Sequence, residues 1–123
     1  MAQADDLCGF GMPPQLAAAL SGNANTLTCT GTTQATAATI LSKFTELSPA
    51  SSQTGAILPN ALIAGEWHVV NQQSTSAVVY VPVGDTLNTT LNGSLTVAQG
   101  KAAILWKYKV SGGAATWTYI LTA

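Results

Sequence analysis

One histidine, His68, five carboxylates, Asp5, Asp6, Glu46, Glu66 and Asp85, and two cysteines, Cys8 and Cys29, are the residues from which catalysis or metal binding would have to be assembled in this chain. A single histidine excludes a histidine-based metal cluster within one molecule. Placed between Trp67 and Val69 on an alternating stretch, it reads as a packed or half-exposed strand residue. A Ser/His/Asp or Cys/His set can be gathered from distant positions, but the G-x-S-x-G nucleophile elbow does not occur. The carboxylates fall on an N-terminal arm, at strand ends and in turns, where solvated charge or turn-forming hydrogen bonds are their expected work. Gly9-Phe10-Gly11 is followed by prolines instead of the third glycine of a dinucleotide fingerprint, and no strand precedes it. The sequence therefore predicts no enzyme and no cofactor.

Three further features have more than one reading. No other metal-type ligand flanks Cys8 or Cys29, which leaves indifferent buried thiols, or a disulfide within or between subunits formed after release from the cell. Asn88-Thr89-Thr90 and Asn92-Gly93-Ser94 fit the glycosylation pattern, yet the acidic, polar start Met1-Ala-Gln-Ala-Asp5-Asp6 is unlike a secretory signal. Synthesis in the cytoplasm without export is expected, with these asparagines decorating turns. Trp67, Trp106 and Trp117 could form a sugar-stacking platform, but strand alternation favours core packing.

Charge is scarce: 7 % of 123 residues, with no arginine, and a net charge of −1. Ordinary soluble domains carry about 25 %. A folded chain of this size exposes about 6,000 Å², so charges are spread at roughly one per 700 Å². Such a surface does little to keep copies apart, and an assembly subunit whose exterior is largely covered is the natural reading. Four lysines without a basic run leave no footprint for nucleic acid or an anionic membrane. No apolar run approaches the ~20 residues of a membrane-spanning helix.

The elements that must position these residues are short. Residues 1–26 read as an arm plus one short helix: Pro13-Pro14 starts it, Leu16, Ala17 and Leu20 share a face, and Gly22-Asn23 ends it. Two turns of helix do not persist alone in water and must dock. Residues 27–123 read as one β domain, with strands expected at Thr36–Leu41, Phe44–Leu47, Ala56–Leu58, Glu66–Asn71, Ser76–Val83 and within Thr86–Val97. Ala103–Val110 and Ala114–Leu121 form a hairpin joined at Ser111-Gly112-Gly113, where glycines suit a type I′ turn. Uniform pairing sets Tyr108 opposite Trp117, Trp106 opposite Tyr119 and Ile104 opposite Leu121, giving an aromatic core face of Trp106, Tyr108, Trp117 and Tyr119 with Lys107 and Lys109 on the other side. The fold class is all-β, a sandwich, jelly roll or small barrel.

The stretch from Cys8 to Ala17, Cys-Gly-Phe-Gly-Met-Pro-Pro-Gln-Leu-Ala, resembles the opening of head decoration (capsid-cementing) proteins of tailed bacteriophages. The likeness continues through Gly31–Ala37, Gly55–Pro59, Val70-Asn71, Val79–Gly84 and the closing segment with Trp106 and Trp117. The resemblance implies a homotrimer on the outer capsid surface, partnered by itself and by the major capsid protein, that stabilises the shell. It places Leu7, Phe10, Met12, Leu16 and Leu20 of the arm in contact with capsid or neighbour; the position of Cys8 in that arm, independently of the resemblance, would let it pair across a subunit boundary. The alternative is a phage fibre, tail or head-fibre module that binds host glycans through exposed tryptophan.

Overall fold

A computed structural model of the chain describes residues 24–60, 65–111 and 114–122. The expected arm, its helix and the Gly112-Gly113 turn lie outside those residues. Threonine, valine and aromatic runs, punctuated by glycine, proline and asparagine, form the short strands such composition favours. In chain order these are β1 (Ala24–Thr28), β2 (Ala38–Thr39), β3 (Phe44–Ser48), β4 (Gly55–Ile57), β5 (Gly65–Asn71) and β6 (Ala77–Tyr80). There follow β7 (Thr86–Leu87), β8 (Thr90–Leu91), β9 (Ser94–Val97), β10 (Lys101–Ser111) and β11 (Ala114–Leu121).

The first six strands alternate between two sheets. β1, β3 and β5 lie side by side and parallel in one, and β2, β4 and β6 do the same in the other. The chain thus winds as a flattened coil, leaving one strand in each sheet per turn. Hydrogen bonding continues round the corners, where Thr30 N–H donates to the Gly55 carbonyl at 3.0 Å and Val78 N–H to that of Thr54 at 2.9 Å. These corners approach so closely that a Cβ on Gly55 would stand 2.7 Å from the Thr30 carbonyl oxygen. Gly31 turns the chain at φ +64°, where a Cβ would run into the Thr36 side chain, so glycine is needed at both positions.

Antiparallel strands close the coil. β9 pairs with β6, β10 with β5, and β11 returns along β10, giving a seven-stranded sheet β1-β3-β5-β10-β11-β7-β8 and a four-stranded sheet β2-β4-β6-β9. The result is a β-sandwich, one of the architectures expected from the sequence. Its parallel winding sets it apart from an antiparallel jelly roll, and its two sheets from a single barrel. Three elements depart from expectation. β1 begins at Ala24, so the β body takes in residues assigned above to the arm. The expected strand Thr36–Leu41 shrinks to β2 after a 3-10 turn at Gln34–Thr36. Thr86–Val97 breaks into three pieces at Asn88 and Asn92, whose φ values of 55° and 54° are left-handed and interrupt pairing.

Between the sheets lie Leu47, Trp67, Val69, Leu105 and Trp117 from one side and Ala56, Leu58, Val79, Val81, Leu95 and Val97 from the other, all buried. Asn71 is fully buried and stitches the layers together: its amide donates to the carbonyls of Thr75 (2.8 Å) and Val97 (2.9 Å) and accepts from Gln73 N–H (2.9 Å). Trp117 is fully enclosed, its ring 5.1 Å from that of Trp67. Its indole N–H donates to Asp85 at 2.8 Å, and the other oxygen of that carboxylate accepts from Ala115 N–H at 3.0 Å. Asp85 is therefore neither solvated nor only a turn former; it is 3 % exposed and fastens the β6–β7 turn to β11.

The terminal hairpin forms, but its expected aromatic face is divided. Pairing starts as predicted, with Ser111 opposite Ala114 and Lys109 opposite Thr116; a bulge at Tyr108 then shifts β10 by one, so Lys107 faces Trp117 and Leu105 faces Tyr119. A one-residue shift exchanges the faces of a strand. Trp117 remains in the core and Tyr119 packs against it, whereas Trp106 turns outward and Tyr108 is 58 % exposed. Lys107, expected on the polar side, is buried with its ammonium 5.8 Å from the Trp117 ring centroid.

Replacing Asp85 with alanine strands two buried donors, so Asp85→Ala should lower unfolding free energy by about 3 kcal/mol. Asp85→Asn, which retains one acceptor, should cost about half as much. Urea titration followed by tryptophan fluorescence measures both; a cost under about 1 kcal/mol for the alanine variant would contradict the role assigned to the carboxylate.

Candidate functional site

The outward face of the seven-stranded sheet carries a groove of about 750 Å³. Strand register builds it. Ala24, Phe44, His68, Ile104 and Ile120 are successive lateral partners across β1, β3, β5, β10 and β11, and so form one row. Thr26, Glu46, Val70 and Ala102 form the next. Large side chains wall the groove, with Phe44 36 % and Ile120 61 % exposed, while the alanines leave its floor low. Beside it, a hollow of about 460 Å³ is lined by Glu66, Trp106, Tyr108 and Thr118.

Polar chemistry concentrates where the two hollows meet. Glu66 accepts the Trp106 indole N–H at 3.1 Å and lies 3.2 Å from His68 Nε2, and the His68 ring stacks on Phe44 at 4.7 Å. The His68 hydrogen bond holds the Glu66 carboxyl below its usual range, helped by Trp106 and by the charge of Lys43. Lys43 lies 3.8 Å above the Trp67 ring centroid, where burial pulls its ammonium down against the opposing charge of Glu66. This is a carboxylate and an imidazole among aromatic rings, suited to holding a ligand by hydrogen bonds and ring contacts. Among the described residues no group of three His, Cys, Asp or Glu stands close enough to hold a metal ion.

The residues singled out in the sequence are not brought together as one site. Cys8 and the contact residues Leu7, Phe10, Met12, Leu16 and Leu20 lie outside the described residues. Cys29 is 1 % exposed in the core; burial pushes its thiol up, against a backbone hydrogen bond from Ser48 that pulls it down. Trp106 and Tyr108 border the outer hollow, and Trp117 and Tyr119 belong to the interior. Sequence reasoning did not anticipate the groove, although the alternation on β5 placed two of its residues, His68 and Val70, on one face with Glu66 of the adjoining hollow. The signal for the rest was the matching set Ala102, Ile104 and Trp106 on β10. Comparison with family models, with curated proteins and with solved structures returns no match.

Two outcomes follow from these environments. A carboxyl depressed in the folded state stabilises above its unfolded pKa and loses that contribution as pH falls through the folded value. The stability difference between the natural chain and Glu66→Gln should therefore shrink on acidification below about 4.5, as thermal melts at stepped pH will show. Burial and a raised pKa both withhold thiolate, so Cys29 should resist iodoacetamide in the folded protein and react on addition of denaturant, read by peptide mass mapping.

Proposed function

We propose that this protein is a structural virion subunit that decorates and stabilises a bacteriophage capsid, binding the outer shell as a homotrimer. The observation that carries the reading is the exterior. Asp85 and Lys107 are buried, which leaves Lys43, Glu46, Glu66, Lys101 and Lys109 as the charged side chains outside the core of the described body. Meanwhile Leu41 is 80 %, Val83 73 % and Leu91 65 % exposed. A surface so neutral and so apolar is suited to being covered by sister subunits and a lattice. The partners are other copies of the chain and the major capsid protein, the location is the outer capsid surface after synthesis in the host cytoplasm, and the action is passive. Apolar burial at ~25 cal/mol per Å², less the cost of ordering, supplies the cohesion. The N-terminal arm reaches the shell or an adjacent copy, with Leu7, Phe10, Met12, Leu16 and Leu20 as its contact residues.

One observation favours a second reading, a fibre, tail or head-fibre module that binds host glycans: Trp106 and Tyr108 face outward beside Glu66, an arrangement of ring faces and a carboxylate suited to a sugar. Native mass spectrometry and mixing with undecorated phage shells test the first proposal. A mass of three chains and saturable shell binding are expected; a dispersed single chain that ignores shells overturns it. Titration of tryptophan fluorescence with bacterial surface polysaccharide tests the second, for which Trp106→Ala should abolish any response.

A further inference from the structure

Strand register sets one more row on the outward face of the seven-stranded sheet, beside the groove. Glu66 on β5, Trp106 on β10 and Thr118 on β11 are successive lateral partners, and all three line the hollow of about 460 Å³. Asn88, in the turn after β7, joins the end of this row, its side-chain oxygen accepting the Thr118 hydroxyl at 2.7 Å. An outward indole therefore stands between a carboxylate on one side and a hydroxyl and an amide on the other. At about 4.8 Å per strand, Glu66 to Thr118 spans about 10 Å, the length of two linked pyranose rings.

We infer that this row binds an uncharged polysaccharide, with Glu66 accepting from two adjacent free hydroxyls of one sugar unit, Asn88 donating to an oxygen of the next, and Trp106 and Tyr108 against the rings. The inference deepens the glycan reading given above and rests on it. Three observations carry it. The first is the acceptor. A carboxylate ionised at neutral pH accepts only, and offers about four lone-pair sites. His68 Nε2 at 3.2 Å and the Trp106 N–H at 3.1 Å engage one oxygen each, which fixes the group and leaves acceptor capacity on both, and the side chain is 44 % exposed. Two oxygens held side by side match two neighbouring hydroxyl donors and reject ether or ester oxygens, which bring only lone pairs. The second is the opposite polarity at the far end. Thr118 occupies the Asn88 side-chain oxygen, which orients the amide so that its NH2 is the donor this end offers. The third is charge. Lys43, over the Trp67 ring, lies near enough to Glu66 to offset its charge, and Lys109, opposite Thr116, belongs to the next row. Hydrogen bonds, not ion pairs, therefore select the ligand.

Trp67 and Trp117 are 4 % and 0 % exposed, so an added polysaccharide acts on the fluorescence chiefly through Trp106. The test titrates the full chain with neutral and with uronate-containing bacterial polysaccharides, each before and after periodate oxidation and borohydride reduction, which cleaves the bond between adjacent hydroxyl-bearing carbons. A saturable change with a neutral polysaccharide, lost after periodate, is expected. Glu66→Gln should weaken that binding about tenfold. Asn88→Asp keeps the acceptor for Thr118 and tolerates the left-handed backbone but removes the donor, and should weaken it about threefold. Silence with every untreated polysaccharide overturns the glycan reading and this inference together. Binding that survives periodate, that favours the uronate polymers, or that is unchanged in Glu66→Gln and Asn88→Asp alike overturns this inference alone.

Discussion

Trp117 and the Asp85 carboxylate that holds its indole nitrogen are the constraint to which the rest of the sandwich conforms. A carboxylate in the interior must have its oxygens bonded, and Trp117 and Ala115 supply the donors at 2.8 Å and 3.0 Å. Because Asp85 lies in the turn after β6 and both donors lie on β11, the bonds join the end of the winding coil to the last strand. With Trp117 fixed inward, β11 has no freedom of face. The bulge at Tyr108 then sets Lys107, Leu105 and Ala103 inward on β10. What remains on β10 faces out, and Ile104 and Trp106 become part of the exterior.

The consequence for the exterior is direct. β5 divides Trp67 and Val69 inward from Glu66, His68 and Val70 outward, and β10 places Ile104 beside His68 and Trp106 beside Glu66. The groove and its polar cluster are thus the reverse side of the aromatic core. Core and site are coupled through strand alternation, with no loop contributing to the row. A site on paired strands is held more rigidly than one on connecting segments.

Strand identity was legible because threonine, valine and aromatic runs ended by glycine, proline and asparagine leave few other conformations open. The faces of β5 were legible too, since Trp67 and Val69 alternate with His68 and Val70. The register of the terminal hairpin was not. Lys107 and Lys109 share an alternation, and two lysines normally mark a solvated face. Lysine, however, can bury its apolar stem, and Lys107 is buried opposite Trp117 with its ammonium 5.8 Å from the ring centroid. A bulge carries no composition signal when the residue it displaces is a tyrosine, which tolerates either environment. Asp85 was likewise opaque, because a turn aspartate gives no sign of a partner on a strand thirty residues away. The coil escaped notice because its turns share geometry without sharing sequence: Ala24, Phe44 and His68 stand in register as three different residue types with no common flanking motif.

Parallel winding and antiparallel closure give the two ends of the large sheet different characters. At one end β7 and β8 are two-residue strands broken by Asn88 and Asn92, too short and too bent to template another chain. At the other, β1 is five residues long, almost wholly exposed and free of charge, and among the described residues no strand lies along its outer edge beside the groove. Soluble sandwiches usually protect such an edge with lysine, proline or a bulge, and β1 has none of these. Lysines are available in this chain, but they stand at Lys43, Lys101, Lys107 and Lys109. Among the described residues this unguarded edge lies beside the groove, which brings together in one place features that favour pairing with further polypeptide. Among the described residues the β1 edge thus carries fewer of these guards than the β8 edge, and a strand added to β1 would extend the same sheet that carries the groove.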